Sequence, residues 1–419
     1  MPAGLPQHLG RHGALPDAGS RGRLLREVAA AGLTGRGGAA FPTARKLAVA
    51  AEARPAPVVV GNGAEGEPAS SKDASLLWIS PHLVLDGLQL AAEMTGSPAA
   101  VLYVRRDERL HARLAEAIAE RAAAGIGAAR VDLVQAPDRF LAGEESAVVS
   151  RLTGRPALPA YRPVRGLPRL AGRAALVQNV ETLAHLALIA RYGAAWFRSA
   201  GTEAEPGSML VTLHLADGRT SVAEVPLGTG LAGLLGLEPG PGDPAGASVP
   251  SAAGPVQAVL AGGYHGAWLP AAEAAHLPLA NVALRPFGAA AGAGVLAALP
   301  ADRCGLAETA RVARYLALES AGQCGPCFNG LPRIAAALEH LAGPRPDHRA
   351  RAGLERWAGL VTGRGACHHP DGSVRFISSA LRVFAAEAGL HEQGRCSGTD
   401  PRPFLPVPAG RPASDAAWS

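Results

Sequence analysis

Lysine is nearly absent from this chain. Lys and Arg together number 40, yet lysine occurs only at Lys46 and Lys72. Where arginine stands almost everywhere else, the two lysines mark positions suited to a compact ammonium and not to a planar guanidinium. Asparagine is scarce as well: of four, Asn62 and Asn179 fall in unusual loops. Aromatic residues are 4% of 419, and no basic stripe interleaves with them, which excludes the pattern that single-stranded nucleic acid needs. No apolar run reaches the roughly 18 residues of a membrane span. The N-terminus has no charged-then-apolar leader pattern. A cytoplasmic protein without a membrane span is expected. In that setting the five cysteines (304, 324, 327, 367 and 396) are not expected to form structural disulfides. Their clustering in the last third points to metal. A net charge of +5 selects no partner.

What is present is organised around residues 32–46, which hold Gly32, Gly35, Arg36, Gly37, Gly38, Phe41 and Lys46 ahead of a helix-compatible run. Such a loop offers backbone N–H groups to a phosphate, and a following helix N-terminus adds favourable partial charge. A second loop, residues 61–73, carries Asn62, Ala64, Glu65, Gly66, Glu67, Lys72 and Asp73. Each loop alone also reads as a turn with solvated charges. In the third stretch Gly143, Glu144 and Glu145 open a helical run over 147–152. Two carboxylates there are also what an acidic first helical turn looks like. The fourth holds Gln178, Asn179 and Thr182, with Asn179 equally readable as a helix cap.

Taken in order, residues 58–61, 99–104 and 131–134 read as strands. Residues 81–95, an amphipathic pattern, and 109–124 read as helices. The alternation argues for an α/β domain over roughly 30–200. Residues 209–215 and 220–225 form a hairpin around an Asp-Gly turn. They are followed by a short helix at 231–237, a flexible loop at 239–255 and a strand at 256–260. Gly292, Gly294 and Ala297 match a dinucleotide pattern but lack its strand–turn–helix context, so a small-residue core turn is expected. Residues 307–319, 330–341, 352–361 and 374–388 read as an antiparallel helical bundle. Its first and third loops lie at one end, where Cys324, Cys327 and Cys367 can meet. Cys304 and Cys396 fall far from that end, and Cys304 reads as a buried apolar thiol.

These stretches, in this order over roughly 30–395, resemble the NADH-binding flavoprotein subunit of respiratory complex I. They resemble equally its relatives in NAD(P)-reducing hydrogenases and formate dehydrogenases. The resemblance implies an α/β fold: a Rossmann-like FMN/NADH domain, a β-grasp (SLBB-type) domain and a C-terminal four-helix iron–sulfur bundle. The corresponding division is 1–30 N-terminal segment, 31–206 FMN/NAD(P)H domain, 207–300 β-grasp domain with connector, 301–395 bundle and 396–419 irregular tail. It implies FMN held by Gly35, Arg36, Gly37, Gly38, Lys46, Asn62, Glu65, Gly143, Glu144, Asn179 and Thr182. Phe41 would stack on the adenine, and Glu67 and Glu145 would hold NAD(H) or NADP(H) over the flavin as the catalytic pair. Cys324, Cys327 and Cys367 would bind an iron–sulfur cluster, 4Fe–4S or incomplete. The implied activity is an NAD(P)H:acceptor oxidoreductase of the NADH dehydrogenase type. Electrons would pass to a ferredoxin-like or quinone-linked acceptor, with a ferredoxin or thioredoxin-like iron–sulfur subunit as partner in a multi-subunit complex.

Several positions depart from the family. Ala64 and Gln178 replace an aspartate and an asparagine, and Ala321 stands where the first cluster cysteine belongs. Two adenine-stacking aromatics are missing at residues 47–50 and 164–165, and Arg162 is the candidate basic residue beside the site. His368 or His369, next to Cys367, are candidate substitutes for the missing thiolate. Two other readings fit the departures: a non-catalytic scaffold subunit, and a flavin-only diaphorase without a cluster.

Overall fold

A computed structural model describes residues 4–16, 21–161, 166–238, 248–344, 346–347, 349–408 and 418. Arg162 and residues 164–165 lie outside it, as does most of the loop expected at 239–255. The chain begins with α1 (Leu5–His12), α2 (Arg21–Ala31) and α3 (Thr43–Glu52). Then come β1 (Val58–Gly63), α4 (Lys72–Ile79), α5 (Pro81–Thr95), β2 (Ala99–Val104), α6 (Glu108–Ala123) and β3 (Arg130–Gln135). The first unit closes with α7 (Glu145–Leu152), β4 (Arg169–Leu170), β5 (Arg173–Asn179) and α8 (Val180–Arg198). The helices α1 and α2 pack against this unit. His8 on α1 meets Asp86 on α5 at 2.8 Å, and Leu24 and Val28 on α2 join the core beneath α8.

The first sheet has strand order β3-β2-β1-β5-β4. All pairings are parallel except β4 with β5. Helices cover both faces, so β1 buries Val59 in one core and Val60 in the other. The same reason corrects the reading of α5 as amphipathic. It is buried almost all round, and Gly87 lies so close to α8 that a Cβ would fall 1.9 Å from the Leu183 carbonyl oxygen. In the register of β1 with β5, Asn62 lies directly opposite Asn179. Both sit at the carboxyl edge of a parallel sheet, where such folds receive ligands.

Beyond α8 the texture changes to β6 (Ser208–His214), β7 (Thr220–Pro226), α9 (Leu231–Leu235), β8 (Val256–Ala261) and β9 (Ala267–Pro270). Two single-turn helices, α10 (Ala271–Ala274) and α11 (Asn281–Leu284), precede β10 (Val295–Pro300). The second sheet is mixed, with order β7-β6-β10-β8-β9. Gly292 and Gly294 take positive φ and lead into β10, so a strand follows the glycine pattern where a dinucleotide motif needs a helix.

The remainder is helical: α12 (Gly305–Leu318), α13 (Leu331–Ala342), α14 (Ala350–Val361), α15 (His369–Val383) and α16 (Ala385–Glu392). The helix expected over 374–388 starts earlier and divides at Phe384, giving five helices among the described residues. Trp268 of β9, Leu299 of β10 and Phe376 of α15 share one core, which seats the helices on the second sheet.

Candidate functional site

A cavity of about 270 Å³ opens where the two sheets and the helical part meet. Arg36, Gly37, Asn62, Glu65, Glu67, Gly143, Glu144 and Asn179 line it, as does Cys367. Stretches separated by more than a hundred residues thus converge on one space. Gly35, Gly38, Phe41, Lys46, Glu145, Thr182, Cys324 and Cys327 are not part of its wall.

Local chemistry explains the convergence. The glycine loop closes through Gly35 N–H to the Phe41 carbonyl at 2.9 Å and Thr43 N–H to the Leu33 carbonyl at 2.9 Å. The Thr182 hydroxyl accepts Arg36 N–H at 2.9 Å, so Thr182 shapes this loop from behind. Gly38 takes φ +99°, a conformation natural to glycine, and a Cβ on Gly37 would press the Asn179 side chain at 3.3 Å. The Arg36 side chain is not simply aimed at a ligand. Nε donates to the Ser208 carbonyl and Nη1 to Thr34, leaving buried Nη2 without a protein partner.

Three helices begin at the cavity, and each is capped by a residue of its wall. The Glu65 carboxylate accepts the N–H groups of Asp73 and Ala74 at the start of α4. Glu144 accepts those of Ser146 and Ala147 at the start of α7. The Asn179 amide oxygen accepts Glu181 N–H at the start of α8. Glu144 and Asn179 are thus helix caps that also line the cavity. The three N-terminal dipole ends thereby hold two wall carboxylates and one amide in fixed positions around the space.

Beneath the cavity lies a group that sequence reasoning flagged but did not assign. Buried Lys72 donates to Asp73 at 2.6 Å and to Glu181 at 2.8 Å. Glu181 also accepts Leu210 N–H of β6 at 2.7 Å, and Asp73 accepts from the Asn179 amide at 2.7 Å. Burial alone would depress Lys72, but the two carboxylates hold it above its ordinary value. Burial would raise Glu181, but Lys72 and His185 bring it down to about 2. Burial pushes Asp73 up to about 6 despite Lys72. Glu67 accepts Tyr264 N–H at 2.8 Å, and burial raises its carboxyl to about 7.

Lys46 and Glu145 form their own pair at 2.6 Å, and Lys46 also donates to the Val177 carbonyl at 2.7 Å. Phe41 is half exposed with Arg45 over its ring at 5.8 Å. Among the positions expected to stack on adenine, Leu47 and Ala50 are buried in the core.

The three candidate cluster cysteines belong to the helical part, and of them only Cys367 is in the cavity wall. Cys324 and Cys327 lie 3.5 Å apart, and Cys367 faces the cavity. The loop holding them is tied to the flavin-side loop by Arg139–Glu319 at 3.1 Å and Phe140 N–H to Glu319 at 2.8 Å. Cys304 and Cys396 are at the opposite end of the helices. His369 is spent: Nε2 donates to the Leu316 carbonyl at 2.8 Å, and Nδ1 accepts from His265 at 3.0 Å. Burial lowers His369 to about 4, which keeps this pair neutral. His368 is exposed and lines the cavity. Burial pushes the Cys367 thiol up to about 11 and raises Cys324 as well, and Ala321 offers no sulfur beside them.

Fold and site together define a class, a flavin-binding oxidoreductase with an iron–sulfur region. Residues 28–188 match the family model described as Nuo51 FMN-binding domain. Residues 307–391 match NADH-ubiquinone oxidoreductase-F iron-sulfur binding region. The F subunit of the NADH-quinone oxidoreductase of Mycobacterium bovis is 31% identical, over 92% of this chain and 88% of its own. That of Streptomyces coelicolor is 30% identical over 90% and 85%, and the F 2 subunit of Rhizobium meliloti 29% over 89% and 90%. An NAD+-reducing [NiFe]-hydrogenase structure superposes with TM-score 0.79 at 26% identity, covering 97% of this chain and 68% of that one. The chain belongs to the family of NADH-quinone oxidoreductase F subunits.

Lys72→Met leaves Asp73 and Glu181 buried without their cation, and such a break costs about 3–5 kcal/mol. In the parent, Glu181 contributes stability above its ordinary pKa that is lost as pH falls toward about 2. Denaturant titrations should show a lower midpoint in Lys72→Met at pH 7, and a deficit that shrinks toward pH 3 as Asp73 and Glu181, left without their cation, take up protons. Equal midpoints would remove the triad from the fold's support.

Proposed function

We propose that this protein oxidises NADH or NADPH through FMN held in the cavity and delivers electrons to a cluster on Cys324, Cys327 and Cys367. The observation carrying this reading is the shared wall: Cys367 and His368 line the same space as Asn62, Glu144 and Asn179. A flavin there and a cluster behind it are separated by little more than side chains. Orphaned Arg36 Nη2 suits the flavin's polar edge or phosphate.

Bound FMN would accept a hydride and release electrons one at a time. The chain's own part is placement and charge. Gly37 and Gly38 let backbone approach the ligand; Asn62 and Asn179 bound the cavity from adjacent strands. Glu145, paired with Lys46, meets the dinucleotide, and Phe41 offers its exposed face to the adenine. Glu67, with a carboxyl near neutrality, donates or accepts a hydrogen bond at the cavity. On this reading the chain divides at 31–206, 207–300 and 301–395, with the second part a β-grasp unit and the third the cluster bundle; the two separate sheets and the run of helices support it. A small iron–sulfur protein within a multi-subunit assembly takes the electrons.

Two substitutions separate the parts. Gly37→Val should abolish FMN retention with secondary structure unchanged. Glu145→Gln should keep full FMN while turnover with NAD(P)H falls about tenfold or more, the loss of a charge-assisted contact. Flavin content and steady-state rates check both. Full flavin in Gly37→Val, or equal loss of flavin and turnover in Glu145→Gln, would misplace these roles.

The cluster rests on three cysteines, with no fourth cysteine at the site to hold the remaining iron. Protein purified without oxygen should hold iron and sulfide that Cys324→Ala removes. Ala321→Cys should increase the iron retained after exposure to air, measured by iron and sulfide analysis with low-temperature EPR. Iron near zero in all three, with FMN still bound, would leave a flavin-only enzyme.

A further inference from the structure

At the end of the helical part away from the flavin, four side chains converge that the flavin and cluster sites do not use. Cys304 caps the start of α12, Glu387 and His391 lie one turn apart on α16, and Cys396 follows in the tail. Their ligand atoms all fall within 4.8 Å of one another. Cys304 Sγ is 3.5 Å from His391 Nε2 and 3.8 Å from the nearer Glu387 oxygen, and those two are 3.0 Å apart. Zinc bonds of about 2.3 Å to sulfur and about 2.0–2.2 Å to nitrogen and oxygen give tetrahedron edges of about 3.4–3.8 Å. The two separations from Cys304 match those edges, the His391–Glu387 separation is a hydrogen-bond length that an ion would open by a few tenths of an ångström, and Cys396 lies within 4.8 Å of all three.

We propose that Cys304, Glu387, His391 and Cys396 form a structural zinc site separate from the iron–sulfur region. Two thiols, an imidazole and a carboxylate are the donor set for zinc and ill suited to magnesium or calcium. The surroundings prepare it. His391 Nδ1 faces the Gly343 carbonyl at 3.3 Å, and donating there leaves the Nε2 lone pair for the ion. Ser397 N–H donates to Glu387 at 2.9 Å and fixes the carboxylate. Glu387 and His391 are buried, whereas Cys396 is exposed and gives the ion its route in. Binding releases the thiol protons of Cys304 and Cys396.

The role is that of a staple. The site joins the turn before α12 to the tail after α16, which no regular element otherwise connects. Gly398 passes so close to Cys304 that a Cβ would fall 2.7 Å from its nitrogen, and Arg303 pairs with Asp400 at 2.7 Å. The tail continues over the helices. Glu308 accepts Leu405 N–H at 3.0 Å, Leu405 is buried, and Tyr264 donates to the Pro406 carbonyl at 2.5 Å. The helix α12 places this site about 20 Å from the cluster loop, so the two sets of cysteines do not exchange ligands.

The test uses the full chain with Cys324, Cys327 and Cys367 all replaced by serine, so that the cluster thiols take no metal. Chelated, reduced protein is titrated with Zn2+ against a chromogenic chelator, and with Co2+ followed by absorbance. One equivalent of zinc, and Co2+ bands of a tetrahedral thiolate site, are expected. Cys396→Ser, at an exposed position that does not threaten the fold, should weaken zinc at least about 100-fold. Zinc should raise the thermal midpoint of the parent and not of Cys396→Ser. No uptake by fully reduced protein overturns the proposal, and so does uptake that Cys396→Ser leaves unchanged. A Cys304–Cys396 disulfide that persists under reductant, with no metal bound, overturns it too. None of these outcomes bears on whether the flavin cavity works.

Discussion

The buried charge triad of Lys72, Asp73 and Glu181 is the interaction on which the site's geometry rests. It joins the start of α4 to the start of α8, and through Leu210 N–H it reaches the second sheet. A buried ammonium is costly to desolvate and is tolerated here because two carboxylates face it at hydrogen-bond distance. Asp73 in turn holds the Asn179 amide, so the cap of α8 is aimed by the same triad. Removing the cation would leave the two helix starts that frame the cavity with uncompensated negative charge between them. The cavity is thus positioned by electrostatics in its floor as much as by the sheet edge above it.

Several residues of the cavity wall also serve the fold. Glu65, Glu144 and Asn179 satisfy helix N–H groups, and Glu67 holds the Tyr264 backbone across the boundary between the two sheets. This dual use ties binding to folding. The site forms only when all three parts of the chain are assembled, because each part contributes a wall. The Arg139–Glu319 pair does the same for the cluster loop, holding it against the flavin-side loop in a buried, bonded arrangement.

Much of this was legible in the residues. Four loops separated along the chain carried unusual Gly, Asn, Glu and Lys content, and all four meet at the cavity. The paired lysines proved informative in different ways: Lys72 is in the floor, and Lys46 pairs with Glu145 outside the wall. Strand positions in the first sheet were clear because short β-branched runs alternate with helical ones. Other features were not readable. The direction of the Arg36 side chain depends on Ser208, which is distant in sequence. By sequence His369 is a candidate cluster ligand, but its nitrogens are bonded to Leu316 and His265, contacts that no spacing reveals. Cys304 and Cys396 were placed far from the cluster end by helix geometry. That the same geometry brings them together, with Glu387 and His391 on one face of α16, required the tail to fold back, and irregular tails carry no periodic signal.

The central claim is that a flavin in this cavity takes electrons from a nicotinamide and passes them toward Cys367. It is tested most directly by the visible spectrum of the purified protein, loaded with FMN without oxygen, as NADH or NADPH is added. The account predicts a yellow protein whose flavin bands bleach with at least one of the two and return on adding an artificial electron acceptor. A protein that cannot take up FMN, or a yellow one indifferent to both nucleotides, would contradict it.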